Sequence, residues 1–169
     1  MQSQATARRL ILMRHGEAGT ASAMGVAGDY ERPLTQRGAV DVQQMAGWLK
    51  AQQWAPEAIL CSPARRTRET ARLIREGLSL PEHSEQVDEQ LYLAEESTLL
   101  SVLAEQSAKI QTLMLVGHNP GLADLIARLS GQAHPVPPAT MALLEAHTPD
   151  WQLSGQILQV HAVQQPGLE

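Results

Sequence analysis

Three short apolar runs, each closed by a polar motif, constrain this chain more than any other feature. They are Leu10-Ile11-Leu12-Met13, Ala58-Ile59-Leu60-Cys61 and Thr112-Leu113-Met114-Leu115-Val116. Apolar runs without polar alternation mark strands buried on both faces, as in parallel sheets covered by helices. The stretches between them have helical spacing. Thr35 is placed to cap a helix over Gln36 to Gln53, where Ala39, Val42, Ala46 and Leu49 form one apolar face, and Pro56 follows. Ser62-Pro63 reads as the cap and first turn of a second helix, reaching Leu78. Ser97 reads as the cap of a third helix to Ser107, and a fourth carries Leu122, Leu125, Ile126 and Leu129 on one side. Thr140 to Ala146 and Ile157 to Val163 are read as final strands that pair antiparallel. Strands alternating with helices predict an α/β three-layer sandwich with a mostly parallel central sheet. The expected organisation is one domain over residues 1–169.

Composition narrows the function classes. With no phenylalanine the core must be aliphatic, and so few aromatic rings offer no stacking platform for single-stranded nucleic acid. A net charge of −5 gives no general attraction to nucleic acid or to an anionic membrane. After Arg8 and Arg9 the apolar stretch Leu10 to Met13 is too short for a signal-peptide core, and no window approaches a membrane span. The single Cys61 excludes an intramolecular disulfide framework and multi-cysteine zinc patterns. These features predict a cytoplasmic chain without a cofactor, and they are compatible with a monomer.

The polar motifs carry the chemistry. Ligands of parallel α/β sheets bind beyond the carboxyl ends of the strands. The three runs end in Arg14-His15-Gly16-Glu17, Ser62-Pro63-Ala64-Arg65-Arg66 and Gly117-His118-Asn119-Pro120-Gly121. Two histidines and at least two arginines are thus expected in one crevice, with two helix N-termini aimed toward it. Free amides at a helix start and planar guanidinium groups both suit phosphate oxygens.

Four blocks in order now carry a resemblance. They are Arg14-His15-Gly16, Arg32-Pro33-Leu34-Thr35-Gln36-Arg37-Gly38, Ser62-Pro63 through Glu69-Thr70-Ala71, and Gly117-His118-Asn119-Pro120-Gly121. Together they resemble the histidine phosphatase (phosphoglycerate mutase-like) superfamily over roughly residues 8 to 131, with Glu69 where glutamine is more usual. The resemblance implies a phosphoglycerate mutase-like fold and a metal-independent phosphatase in which His15 becomes phosphohistidine. It implies that the Gly16 carbonyl anchors the ring, that Arg14, Arg66 and His118 clamp the phosphate oxygens, and that Arg32 reaches them from the loop. It also places Glu89 where mutase-like members carry their proton donor, with Glu17 as a rival.

Taken singly, His15 or His118 would read as a structural histidine. Their joint pattern with the arginines reverses that reading, and no carboxylate or cysteine completes a metal set around them. His83, His134, His147 and His161 read as structural or solvent-facing, Arg65, Arg68, Arg72 and Arg75 as a solvated helix face, and Cys61 as a packed hydrophobe. Only short segments, Gly16 to Arg32 and Gln86 to Glu95, are available to cover the site. An open site suits a phosphorylated side chain on another protein, as in the short protein-phosphohistidine phosphatases of the superfamily. The alternatives are a broad-specificity phosphatase of small phosphate monoesters and a non-catalytic phosphoprotein-binding module.

Overall fold

The computed structural model describes residues 6–167, so the first five and last two residues of the expected 1–169 domain lie outside it. The chain runs through β1 (Thr6–Arg14), α1 (Gln36–Gln52), β2 (Ala58–Cys61), α2 (Arg65–Gly77) and β3 (Glu85–Val87). It continues through α3 (Glu96–Ala104), β4 (Thr112–Gly117), α4 (Gly121–Ser130), β5 (Met141–Thr148) and β6 (Gln159–Gln164). The strands form one sheet in the order β3-β2-β4-β1-β5-β6. β3, β2, β4 and β1 are mutually parallel, whereas β5 pairs antiparallel with β1 and β6 with β5. This is the mostly parallel α/β architecture expected.

The apolar runs are buried on both faces because alternate residues feed two cores. Leu10, Leu12, Leu60, Leu113 and Leu115 pack with Leu99, Leu103, Leu122, Leu125 and Leu129 of α3 and α4. Ile11, Met13, Ile59, Met114 and Val116 pack with Val42, Met45, Leu49, Ala71 and Ile74 of α1 and α2. Truncating a side chain such as Ile11 or Leu115 to alanine removes contacts on a face with no room to collapse, a loss of about 2–5 kcal/mol.

Several boundaries differ from expectation for local physical reasons. Thr35 does cap α1, its hydroxyl accepting from the Gly38 amide at 3.0 Å, but Met45 and Gly38 are buried where Ala39 is only half-buried. The helix ends at Gln52, and Gln53 takes the left-handed conformation. Ser62 does not cap α2: the helix starts at Arg65 with Ala64 in the capping position. Ser97 lies inside the first turn of α3, which starts at Glu96 and ends at Ala104. β5 and β6 extend further toward the C-terminus than their apolar residues suggested, to Thr148 and Gln164. The Glu85–Val87 strand was not anticipated, because this polar edge segment owes its conformation to pairing with β2.

At the far end of the sheet from the polar motifs, Arg8 is buried without a carboxylate partner among the described residues. Its guanidinium donates to the carbonyls of Thr148, Ala108, Ile110 and Pro149 at 2.6–3.0 Å and lies over the Trp151 ring. No helix among the described residues is long and apolar enough to cross a membrane.

Candidate active site

Strand register brings the three polar motifs to one edge. Arg14 of β1 is level with Gly117 of β4, and Cys61 of β2 is level with Val116. The next residues, His15, Ser62 and His118, therefore leave the sheet side by side. The His15 and His118 rings lie 5.6 Å apart, edge to face. Arg14, His15, Glu17, Ala18, Asp29, Arg32, Arg66, Leu93, His118, Asn119 and Pro138 line a pocket of about 280 Å³. A larger cleft of about 500 Å³ around Ser97, Glu105, Arg128 and Gln152 has no histidine and no cluster of arginines.

His15 is 7 % exposed, and its Nδ1 lies 2.7 Å from the Gly16 carbonyl oxygen. A carbonyl only accepts, so Nδ1 carries the proton and Nε2 keeps its lone pair. Burial pushes the His15 pKa down to about 4. The Gly16 hydrogen bond opposes that shift, while the charges of Arg66, Arg14 and Arg32 reinforce it. The ring is therefore neutral at pH 7, as a nucleophile must be. Gly16 is fixed as well: its amide donates to Thr70 Oγ1 at 3.1 Å, and Thr70 in turn donates to the Arg66 carbonyl. The following turn sits tightly on α1, where a Cβ at Gly38 would overlap the Glu17 carbonyl oxygen.

His118 is 4 % exposed. Arg66 Nη2 lies 3.3 Å from its Nδ1, and its Nε2 lies 2.7 Å from Ser62 Oγ. Because the guanidinium only donates, Nδ1 accepts, and Nε2–H donates to the serine. Burial, then the Arg66 and His15 charges, push the His118 pKa down to about 3, with Asp29 opposing. Ser62, expected as a helix cap, thus orients a histidine while accepting from the Ala64 amide.

Arg66 is 2 % exposed in the first turn of α2. Arg14 Nη1 donates to the Val136 carbonyl, which also accepts from Asn119 Nδ2. Burial first, and Arg66 second, lower the Arg14 pKa. The Nε atoms of Arg14 and Arg66 are both buried without a hydrogen-bond partner among the described residues. Arg32 reaches the pocket from the loop, its Nε donating to Asp29 Oδ1 and its Nη1 to the Gly19 carbonyl. The α4 start is already occupied internally, since Asn119 Oδ1 accepts from the Ala123 amide. Side chains rather than helix amides are the conspicuous donors here.

The structure does not bring Glu89 into the pocket. It is exposed on the short turn Glu89–Leu91, which Asp88 caps at Gln90 and which buries Leu91 instead. Two carboxylates do line the pocket, Glu17 and Asp29. Asp29 was missed by sequence reasoning, having no local signal beyond its nearness to Arg32. Burial would raise its pKa, but the hydrogen bond from Tyr92 and the Arg66 and Arg32 contacts bring it down to about 2. Arg65, Arg68 and Arg75 are not simply solvated: they bond Glu69, the Pro63 carbonyl and Glu85. Cys61 is buried, and desolvation followed by Glu85 raises its pKa to about 12, so it is a packed thiol. Among the described residues no group of three or more His, Cys, Asp or Glu is placed to hold a metal ion.

The depressed pKa values of His15 and His118 make stability depend on pH. In the unfolded chain both rings protonate near the ordinary 6.5, but in the folded chain only near 4 and 3. Between those limits the unfolded state binds more protons, so their contribution is fully present above about pH 6.5 and is lost as pH falls toward 4 and 3. The expected result is a melting temperature that declines across this window. His15→Asn should flatten that decline, and an unchanged slope would contradict the assignment.

Comparison with known proteins follows the same residues. The family model of the histidine phosphatase superfamily (branch 1) matches residues 10–109, which include His15, Arg32 and Arg66. The phosphohistidine phosphatase SixA of Escherichia coli K12 is 30% identical over 122 residues, 72% of this chain and 73% of that protein. A solved protein histidine phosphatase SixA complexed with tungstate matches with TM-score 0.78 and 25% identity, covering 94% of this chain and 97% of that one. The adenosylcobalamin/alpha-ribazole phosphatase of Salmonella typhimurium is 38% identical over 76 residues, 44% of this chain and 36% of that protein. This chain belongs to the histidine phosphatase superfamily, in its SixA-type branch, and is a phosphatase.

Proposed function

We propose that this chain, acting as a single-domain unit, dephosphorylates phosphohistidine on a signalling phosphotransfer protein through a phosphorylated His15. The observation that carries the reading is the His15 ring, neutral, tied to the Gly16 carbonyl through Nδ1, and set among three arginines. In the first step His15 Nε2 attacks phosphorus while the bond to the substrate nitrogen breaks. The electron pair of that bond returns to the leaving imidazole. The proton stays on His15 Nδ1, and its hydrogen bond to the Gly16 carbonyl stabilises the phosphorylated, cationic ring. In the second step water attacks phosphorus, the electron pair returns to Nε2, and inorganic phosphate leaves. Arg14, Arg66 and Arg32 stabilise the charge on the equatorial oxygens, and His118 joins them when its Nε2–H turns from Ser62 to phosphate. These donors all belong to the chain, so the proposed mechanism is metal-independent.

Two features favour phosphohistidine over a phosphate ester. An alkoxide leaving group needs a proton donor. Glu89 stands outside the pocket, and Asp29, with a pKa of about 2, is ionised at neutral pH, which leaves Glu17 as the one lining carboxylate an ester would have to use. A phosphorylated imidazole that is protonated on its other nitrogen departs neutral without further help. The relationship to E. coli SixA and the tungstate complex of a similar fold support the same reading, tungstate being a phosphate-like oxyanion. The partial match to a metabolite phosphatase supports the competing small-monoester reading.

The test is to incubate the full chain with a histidine-phosphorylated phosphotransfer domain and, separately, with a panel of phosphate monoesters, each with and without EDTA. Faster release from the phosphoprotein, unaffected by EDTA, is expected. Faster turnover of the monoesters would overturn the substrate assignment, and loss of activity in EDTA would overturn the metal-independent mechanism.

A further inference from the structure

Arg66 is not idle in the pocket. Its Nη1 donates to the Asp29 carbonyl at 2.8 Å, and its Nη2 to Asp29 Oδ2 at 3.1 Å as well as toward His118. The same Oδ2 accepts from the Tyr92 hydroxyl at 2.6 Å, and Oδ1 accepts from Arg32 Nε at 3.0 Å. One carboxylate thereby binds two of the three guanidinium groups that line the pocket. The two sides of this contact differ in exposure. Arg66 is buried on a helix, whereas the Asp29 side chain is 43% exposed on a short turn within a loop.

A phosphate held by Arg66 must share these donors with Asp29, or take them from it. Like charges crowded into one site also disfavour each other. We propose that Asp29 is a positioning residue that acts as a displaceable internal anion, holding Arg66 when phosphate is absent and weakening the hold on phosphate when it is present. The consequence for turnover is easier product release. Tyr92 assists by fixing Oδ2 on the Arg66 side. The proposal rests on the reading of Arg66 as a phosphate ligand. It goes beyond that reading by assigning a role to a carboxylate that neither attacks nor protonates the substrate.

A carboxylate that merely braced the loop would act in the opposite direction, so the sign of the effect decides. Asp29→Asn keeps the backbone carbonyl contact and a side-chain acceptor but removes the charge. Calorimetric titration of the full chain with inorganic phosphate at pH 7 should show Asp29→Asn binding about tenfold more tightly than the wild type, as removal of a neighbouring like charge implies. Tyr92→Phe should shift affinity the same way by a smaller factor. Steady-state kcat and KM should both fall in Asp29→Asn, because a slower product step lowers both. Arg66→Lys serves as the control and should weaken phosphate binding. If it does, and Asp29→Asn binds phosphate no better or worse than the wild type, this inference is overturned while the Arg66 reading stands. If Arg66→Lys leaves phosphate affinity unchanged, both fall.

Discussion

His15→Ala is expected to lower turnover of the phosphoprotein substrate by about 10⁴-fold or more, because a covalent route loses its nucleophile outright. What remains is the stabilisation offered by the arginines and His118, which helps only the slow direct attack of water. The fold should survive, since His15 stands at a strand end and alanine leaves the flanking backbone bonds to Gly117 and Ala139 intact. The companion measurement is rapid mixing with phosphate-labelled substrate followed by an alkaline quench, which preserves a phosphorus–nitrogen bond. Label should remain on the wild-type chain and be absent from His15→Ala. Full activity in the variant would remove His15 from the mechanism.

Arg66→Lys is expected to cost about 10²-fold in kcat/KM, the scale seen when one preorganised donor to developing charge is lost. Charge is conserved in this change, so the loss measures geometry. A lysine cannot reproduce contacts to the Asp29 carbonyl, the Asp29 carboxylate and His118 Nδ1 from one planar group. Burying an ammonium with fewer partners also lowers stability, so a reduced melting temperature should accompany the kinetic loss. Activity within threefold of the wild type would show that Arg66 is a structural tie and not part of the phosphate clamp.

The parts of this molecule that were legible in the sequence are those whose signal is local. β1, β2 and β4 announced themselves because strands buried on both faces need unbroken apolar runs, and the polar residues that follow them stood out by contrast. Thr35 was legible as a cap for the same reason. The Arg65–Glu69 pair was equally readable, four residues apart on a helix, yet Arg65 was taken for solvated surface. Other features arise only when distant segments meet. β3 has no apolar run of its own, and the Ser62 contact to His118 spans β2 and β4. Asp29 acquires its meaning from a loop that folds back over residues 66 and 92. Glu89 failed in the converse way, since a position in sequence says nothing about the direction in which a short turn aims its side chains.

Two of the three arginines of β1, Arg8 and Arg14, make a thermodynamic contrast within one strand. Arg8 is sealed by four carbonyls, whereas Arg14 has a buried Nε with no partner among the described residues, as does Arg66 beside it. Unmet buried donors are a standing cost that folding elsewhere must offset. Selection for heat resistance in this chain would therefore find room for improvement at the catalytic end, by supplying those donors with a side-chain acceptor. Each such gain would occupy a donor of the proposed phosphate clamp, so on that reading the hardiest variants should be the least active.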